Sequence, residues 1–203
     1  MDGGGRSRKS AEERRLQIVQ AAEKLFSRKG FHATTIEEIA WEAGVSKGLI
    51  YVYFEDKTDV LFLTLRFVLE IYEREIPTVL EGVHHPMERL ETALRVYCSL
   101  VDSHRDATFL AYRSTMELPG DQRAAVKMAE SKTTRILADC IEDCVRGGFM
   151  GPLNVEMLAY QCVLYCHGWA LKYWAFRDKM TLEDYVSEGA RLLIVPHQTS
   201  QAV

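Results

Sequence analysis

Lys47, Tyr51, Tyr53 and Lys57 fall within eleven residues and share one chemical ability, the binding of phosphate. The lysines carry charge, and the tyrosines join a ring that packs to a hydroxyl that donates. Gly48 beside Lys47 has no side chain, so a foreign surface can approach the backbone there. Ser46 and Thr35 place hydroxyls just ahead of two apolar-periodic stretches, where such residues cap helices. A second set lies further on. Cys140/Cys144 and Cys162/Cys166 are each spaced i, i+4, on one helix face, with His167 adjoining. Four thiols and an imidazole are a donor set for zinc or redox chemistry. The close CxxC spacing of zinc knuckles is missing, however, and cysteine on an apolar helix commonly acts as a small hydrophobe. No metal or cofactor is expected. A third set mixes aromatic and polar residues on otherwise apolar helices. Phe109, Tyr112, Arg113, Met116 and Glu117 occupy one helix, and Tyr165, His167, Trp169 and Trp174 another. Such a lining suits a small hydrophobic ligand, with Arg113 able to neutralise a carboxylate or phosphate.

The elements that position these sets read as helices throughout. Ile18, Ala22, Leu25 and Phe26 recur at i, i+4, i+7 and i+8, and Gly30 follows Arg28-Lys29 as a stop. Thr34 and Thr35 each have a Glu three residues on, so either can open a second helix with a capping box. Gly44 breaks that helix, and Ser46 opens a short third one that ends near Phe54. A fourth, with Leu61, Leu65, Val68, Leu69 and Tyr72 as its buried stripe, is expected to end around Pro77. Further helices are expected at 86–103, 105–117, 121–146, 154–177 and 181–195, separated by Pro and Gly clusters. Two short helices joined by Ala43-Gly44-Val45-Ser46 form a helix-turn-helix layout, whose second helix is suited to a DNA major groove. Val45, Ile50 and Phe54 read as its core.

Charge is unevenly placed. Residues 1–57 carry ten Lys/Arg against nine Asp/Glu, and the remainder fifteen against twenty. A near-neutral head on an acidic body fits a polyanion met at one end. The polar stretch 1–10 includes Arg6-Ser7-Arg8-Lys9, a basic arm that either reaches nucleic acid or remains a solvated tail. No apolar segment follows it, and no run approaches the ~18 apolar residues of a membrane span. A cytoplasmic protein with free thiols and no membrane partner is the expectation.

The stretch LFSRKGFHATTIEEIAWEAGVSKGLIYVYFEDKTDVL, residues 25–61, resembles the DNA-binding domain of TetR/AcrR transcriptional regulators. The resemblance rests on Leu25-Phe26, Gly30-Phe31, Thr34-Thr35, Ile39-Ala40, Ala43-Gly44-Val45-Ser46, Gly48, Tyr51, Tyr53-Phe54 and Lys57. It implies an all-α fold: residues 11–57 as a three-helix DNA-binding domain, and 58–203 as a helical ligand-binding and dimerisation domain reached through a long helix. It places Thr35, Ser46, Lys47, Gly48, Tyr51, Tyr53 and Lys57 at DNA contacts. Leu49 and Tyr53 depart from the polar residue and the His common at those positions. The resemblance further implies a homodimer through residues 155–195, with Gly189-Ala190 allowing close approach, and a palindromic operator in double-stranded DNA. It also implies release by a hydrophobic effector such as an acyl-CoA or fatty acid. Two other readings remain open: a helical enzyme using Cys/His chemistry, and a DNA-binding structural protein without a ligand.

Overall fold

The computed structural model describes residues 10–200, so the basic arm lies outside the described residues. Ser10 opens α1 (Ala11–Lys29) with a full capping box to Glu13, and Gly30 closes it at φ +84°. Ile18, Ala22, Leu25 and Phe26 are buried, as their spacing requires. Of the two candidate threonines, Thr35 caps α2 (Ile36–Glu42) through Glu38. Thr34 is buried instead and donates to the Gly30 carbonyl at 2.8 Å. Gly44, at φ +62°, makes a left-handed turn that residues with a side chain rarely adopt. Ser46 then accepts from the Leu49 amide at 3.2 Å and opens α3 (Lys47–Tyr53). Ile50 and Phe54 are buried beneath it.

Asp56 caps α4, which runs from Lys57 to Leu80. Pro77 does not end it. Proline removes one N–H and its ring crowds the carbonyl four residues earlier, yet the helix continues, with buried Ile76 and Leu80 anchoring the last turn. The body continues through α5 (Pro86–Ser103), α6 (Arg105–Ser114) with a 3-10 turn at Thr115–Glu117, and α7 (Gly120–Arg146). The expected helix over 154–177 is two. α8 (Val155–Leu171) stops where Lys172 leaves helical geometry, and the short α9 (Tyr173–Phe176) follows. The reason is aromatic packing: Tyr173 and Phe176 sit 5.6 and 6.2 Å from the Trp169 ring, and the Arg105 guanidinium covers Tyr173 at 3.9 Å. α10 (Leu182–Leu193) is followed by a 3-10 turn at Val195–His197, and no strand is formed beyond one isolated bridge, Met150 to Gln198, among the described residues.

Two apolar clusters result. One gathers α1–α3 with the start of α4, and it also takes Leu110, Leu118 and Val126 from the body. The other gathers the far part of α4 with α5, α7, α8 and α10. α4 is common to both, and α6 lies between them. Each large side chain so buried contributes about 1.5–3 kcal/mol.

Candidate functional site

The outer face of α2–α3 presents Thr35, Ser46, Lys47, Gly48 and Tyr51 to solvent, with Tyr53 half-buried against the head cluster. Lys47 pairs with Glu37 and lies 5.9 Å over the Tyr51 ring. That contact holds the Glu37 carboxyl below its ordinary range and raises the Lys47 ammonium. A Cβ at Gly48 would meet nothing within 4 Å. The chain's own packing therefore does not demand glycine there.

Lys57, expected at a phosphate, is turned toward the protein in this DNA-free structure. Its ammonium faces the carbonyls of Phe31, His32 and Thr34 at 2.9, 3.3 and 2.9 Å, and lies 4.5 Å over the Phe31 ring. All three donors are spent on the loop between α1 and α2. The first-turn amide of Asp59 is likewise taken by the Asp56 carboxylate.

A cavity of about 370 Å³ lies between α4, α5, α6, α7 and α8. Its deep wall is Leu65, Val68, Tyr72, Tyr97 and Val126, and its rim carries Tyr112, Met116, Lys127, Glu130, Tyr160 and Leu164. Of the residues expected to line a pocket, Tyr112, Met116 and His167 do so. Phe109, Arg113 and Glu117 do not. Spaced i, i+4, i+8, they lie on the other face of α6 and its 3-10 extension, around a cleft of about 250 Å³ against the α1–α2 loop. There Glu117 meets His32 at 3.0 Å.

The other three expected residues line neither space. Trp169 is buried in the body, its indole N–H donating to Asp102 at 2.7 Å. Tyr165 stacks on Tyr185 at 4.4 Å and donates to the Tyr185 carbonyl. Trp174 is 71% exposed on the short α9. Gly189 serves the same α8–α10 contact within the chain, since a Cβ there would collide with the Tyr165 ring.

Helical spacing explains what was missed. Tyr160, Val163, Leu164 and His167 recur at i, i+3, i+4, i+7 and share the cavity face of α8. Tyr165 and Trp169 belong to the next face. Tyr97 donates or accepts at His167 Nε2 over 2.8 Å, and Tyr112 contacts Nδ1 at 3.0 Å. Burial pushes His167 down to about 4, so the ring is neutral at pH 7.

The five cysteines are all buried. Burial pushes Cys140 up to about 11 and Cys144 and Cys162 to about 12, which keeps them as thiols. Cys98 and Cys166 lie with sulfurs 2.9 Å apart. Among the described residues no group of three His, Cys, Asp or Glu side chains is placed to hold a metal. Nor is any described helix long and apolar enough to cross a membrane.

Two family models match the chain in tandem. One describes bacterial regulatory proteins of the tetR family and covers residues 18–63. The other describes a tetracyclin repressor-like C-terminal domain and covers residues 84–173. The HTH-type transcriptional regulator HbdR of Aromatoleum sp. (strain CIB) is 53% identical over 95% of this chain and 84% of its own length. The chain belongs to the TetR family. It is a DNA-binding, ligand-binding transcriptional regulator of the helix-turn-helix type. A more distant relative, the HTH-type transcriptional activator FasR of Mycolicibacterium smegmatis, is 26% identical over 92% of this chain and 84% of FasR. Solved TetR-family structures share the fold at low identity. FadR from Bacillus subtilis, determined with stearoyl-CoA, superposes with a TM-score of 0.77 at 18% identity, over 88% of this chain and 97% of FadR. AibR, determined with isovaleryl coenzyme A and operator DNA, gives 0.76 at 20% identity, over 89% and 98%.

Proposed function

We propose that this TetR-family protein is a repressor that grips a palindromic operator as a dimer and releases it when an acyl-bearing hydrophobic molecule, an acyl-CoA or fatty acid, fills the cavity. Residues 11–57 act as the reading head and 58–203 as the sensing and pairing body, in the cytoplasm and without catalysis. Thr35, Ser46, Lys47, Gly48, Tyr51 and Tyr53 meet the DNA. The two α3 helices enter successive major-groove sites roughly 34 Å apart. Lys57 holds the head's loop in shape behind them. Pairing uses residues 155–195, where Met157 of α8 and Leu192 of α10 leave apolar surface exposed.

The observation that carries the reading is the placement of α6. One face of it walls the cavity and the opposite face walls the cleft under the head, so a ligand in the first displaces the boundary of the second. The acyl nature of the effector is supported by the apolar deep wall and by the acyl-CoA bound in FadR and AibR. The enzyme reading has no activated nucleophile to rest on, because the thiols are buried and protonated.

Calorimetry with octanoyl-CoA, with and without operator duplex, tests the proposal. A coupling of about 1–3 kcal/mol should appear equally in both directions. Equal affinity in the two conditions rejects the switch. Sedimentation should show a dimer that Leu192→Glu dissociates, and a wild-type monomer at micromolar concentration rejects the pairing.

A further inference from the structure

Tyr97, His167 and Tyr112 form a chain of hydrogen bonds whose direction is set by burial. Tyr97 is 3% exposed, with its hydroxyl 2.8 Å from His167 Nε2. A buried phenolic proton left without an acceptor costs about 1–3 kcal/mol. Tyr97 therefore donates, and Nε2 is the bare nitrogen. A neutral imidazole has one bare nitrogen and one N–H, so the ring proton sits on Nδ1. Nδ1–H donates to the Tyr112 oxygen at 3.0 Å. The Tyr112 proton is then unspent. Tyr112 makes no further hydrogen bond among the described residues, and its half-exposed ring lines the cavity rim near Met116 and Lys127. The T-shaped packing of Tyr112 on the His167 ring, at 89° and 5.6 Å, fixes the phenol's direction.

We infer that the Tyr112 hydroxyl is the donor that reads a carbonyl acceptor on the effector, held ready for it by Tyr97 and His167. The inference rests on the effector-binding reading above and names the chemistry of that site. The ligand's apolar tail runs inward to Leu65, Val68 and Val126, its carbonyl stops at Tyr112, and its polar remainder leaves past Lys127. At roughly 30 Å³ per non-hydrogen atom, the volume of a water in the liquid, the cavity of about 370 Å³ holds about a dozen atoms. That matches a medium-length acyl group. His167 is a positioning residue, since it touches the tyrosines and fixes which proton is free.

The same acceptor occurs in a thioester and in a free acid, and matched probes separate them. Octanoyl-CoA and S-octyl-CoA differ only in the carbonyl. Wild-type protein is expected to bind octanoyl-CoA roughly three- to tenfold more tightly, the worth of one hydrogen bond. Tyr112→Phe should erase that ratio. His167→Phe should reduce it, which loss of packing alone would not do. Equal wild-type affinities for the two thiol derivatives overturn the inference. Tighter binding of octanoate, with the same loss in Tyr112→Phe, assigns the acceptor to a free acid and supports it. Failure of both CoA compounds and of octanoate to bind rejects the acyl effector, and 2-octanone then decides the donor by itself. Binding weakened by Tyr112→Phe supports it, and unchanged or absent binding overturns it. Nitrogen NMR of the apo protein gives a ligand-free check. A proton on His167 Nδ1 at pH 7 is expected, and a proton on Nε2 overturns the inference.

Discussion

Tyr112 and Arg113 are neighbours in the chain and face opposite spaces: Tyr112 lines the inner cavity, Arg113 the cleft beneath the DNA head. Between them runs the axis of α6. Ala111 belongs to the cavity wall and also packs against the head cluster, so added volume there acts on both sides. Ala111→Phe is expected to imitate a bound ligand. Operator affinity without effector should fall at least about fivefold, the lower end of ordinary allosteric coupling. A fluorescence titration with labelled operator measures it, and wild-type affinity in a folded variant refutes the shared-wall argument.

Gly48 should trade stability for binding. Glycine in a helix costs about 0.5–1 kcal/mol relative to alanine, and a Cβ at this position meets no atom of the protein. Gly48→Ala is therefore expected to raise the melting temperature and weaken operator binding. A variant that gains stability and keeps full affinity would show that DNA does not approach this backbone.

Glu37 restrains Lys47 on the exposed face of the head. Glu37→Gln frees that ammonium for phosphate and removes a like charge from the contact surface. Affinity for DNA should rise, and the dependence of log K on log salt should steepen by up to about one unit. An unchanged slope would place Lys47 away from the phosphates.

Lys57→Ala is expected to act through folding. Losing three carbonyl contacts from a charged group should cost about 1–3 kcal/mol, read by urea denaturation. At temperatures where the head stays folded, the salt slope of operator binding should not change. A slope reduced by one unit would return Lys57 to the DNA.

The neutral His167 makes stability depend on pH. Its folded value is about 4, against 6.5 in the unfolded chain. Between those values the unfolded state binds the extra proton, so stability falls as pH drops from about 6.5 to about 4 and is full above that window. The loss should approach ~3 kcal/mol, at 1.36 kcal/mol per unit. His167→Gln should flatten the profile over this range in thermal melts at stepped pH.

The head was legible in the sequence because its signals are local. Ser46 caps α3, Gly44 turns at positive φ, and Thr35 pairs with Glu38, all within a few residues. The cavity was legible only in part. Aromatic and polar types identified the right helices but not the right faces, so Tyr112, Met116 and His167 were found together with six residues that face elsewhere. Period-sorting within each helix would have separated Arg113 from Tyr112 and joined Tyr160 to His167. Tyr72 was marked only as part of the buried stripe of α4 and Tyr97 not at all, because what makes them cavity walls is the packing of α4 and α5 against distant helices. The carbonyl partners of Lys57 were hidden for the same reason: they lie 23 to 26 positions earlier. The break at Lys172 comes from rings closing on Trp169, a contact that no propensity reports.

Pro77 sits near the body end of α4 and removes one rung from a helix that begins at the DNA head. From there back to Lys57 is about 30 Å of helix, at 1.5 Å per residue. Leverage follows from that length. A swing of only about 5° at the weakened rung carries the far end through about 2.6 Å, a distance comparable to a hydrogen bond. Sub-ångström crowding beside the pivot thus becomes, at the other end of the arm, the difference between touching a phosphate and missing it.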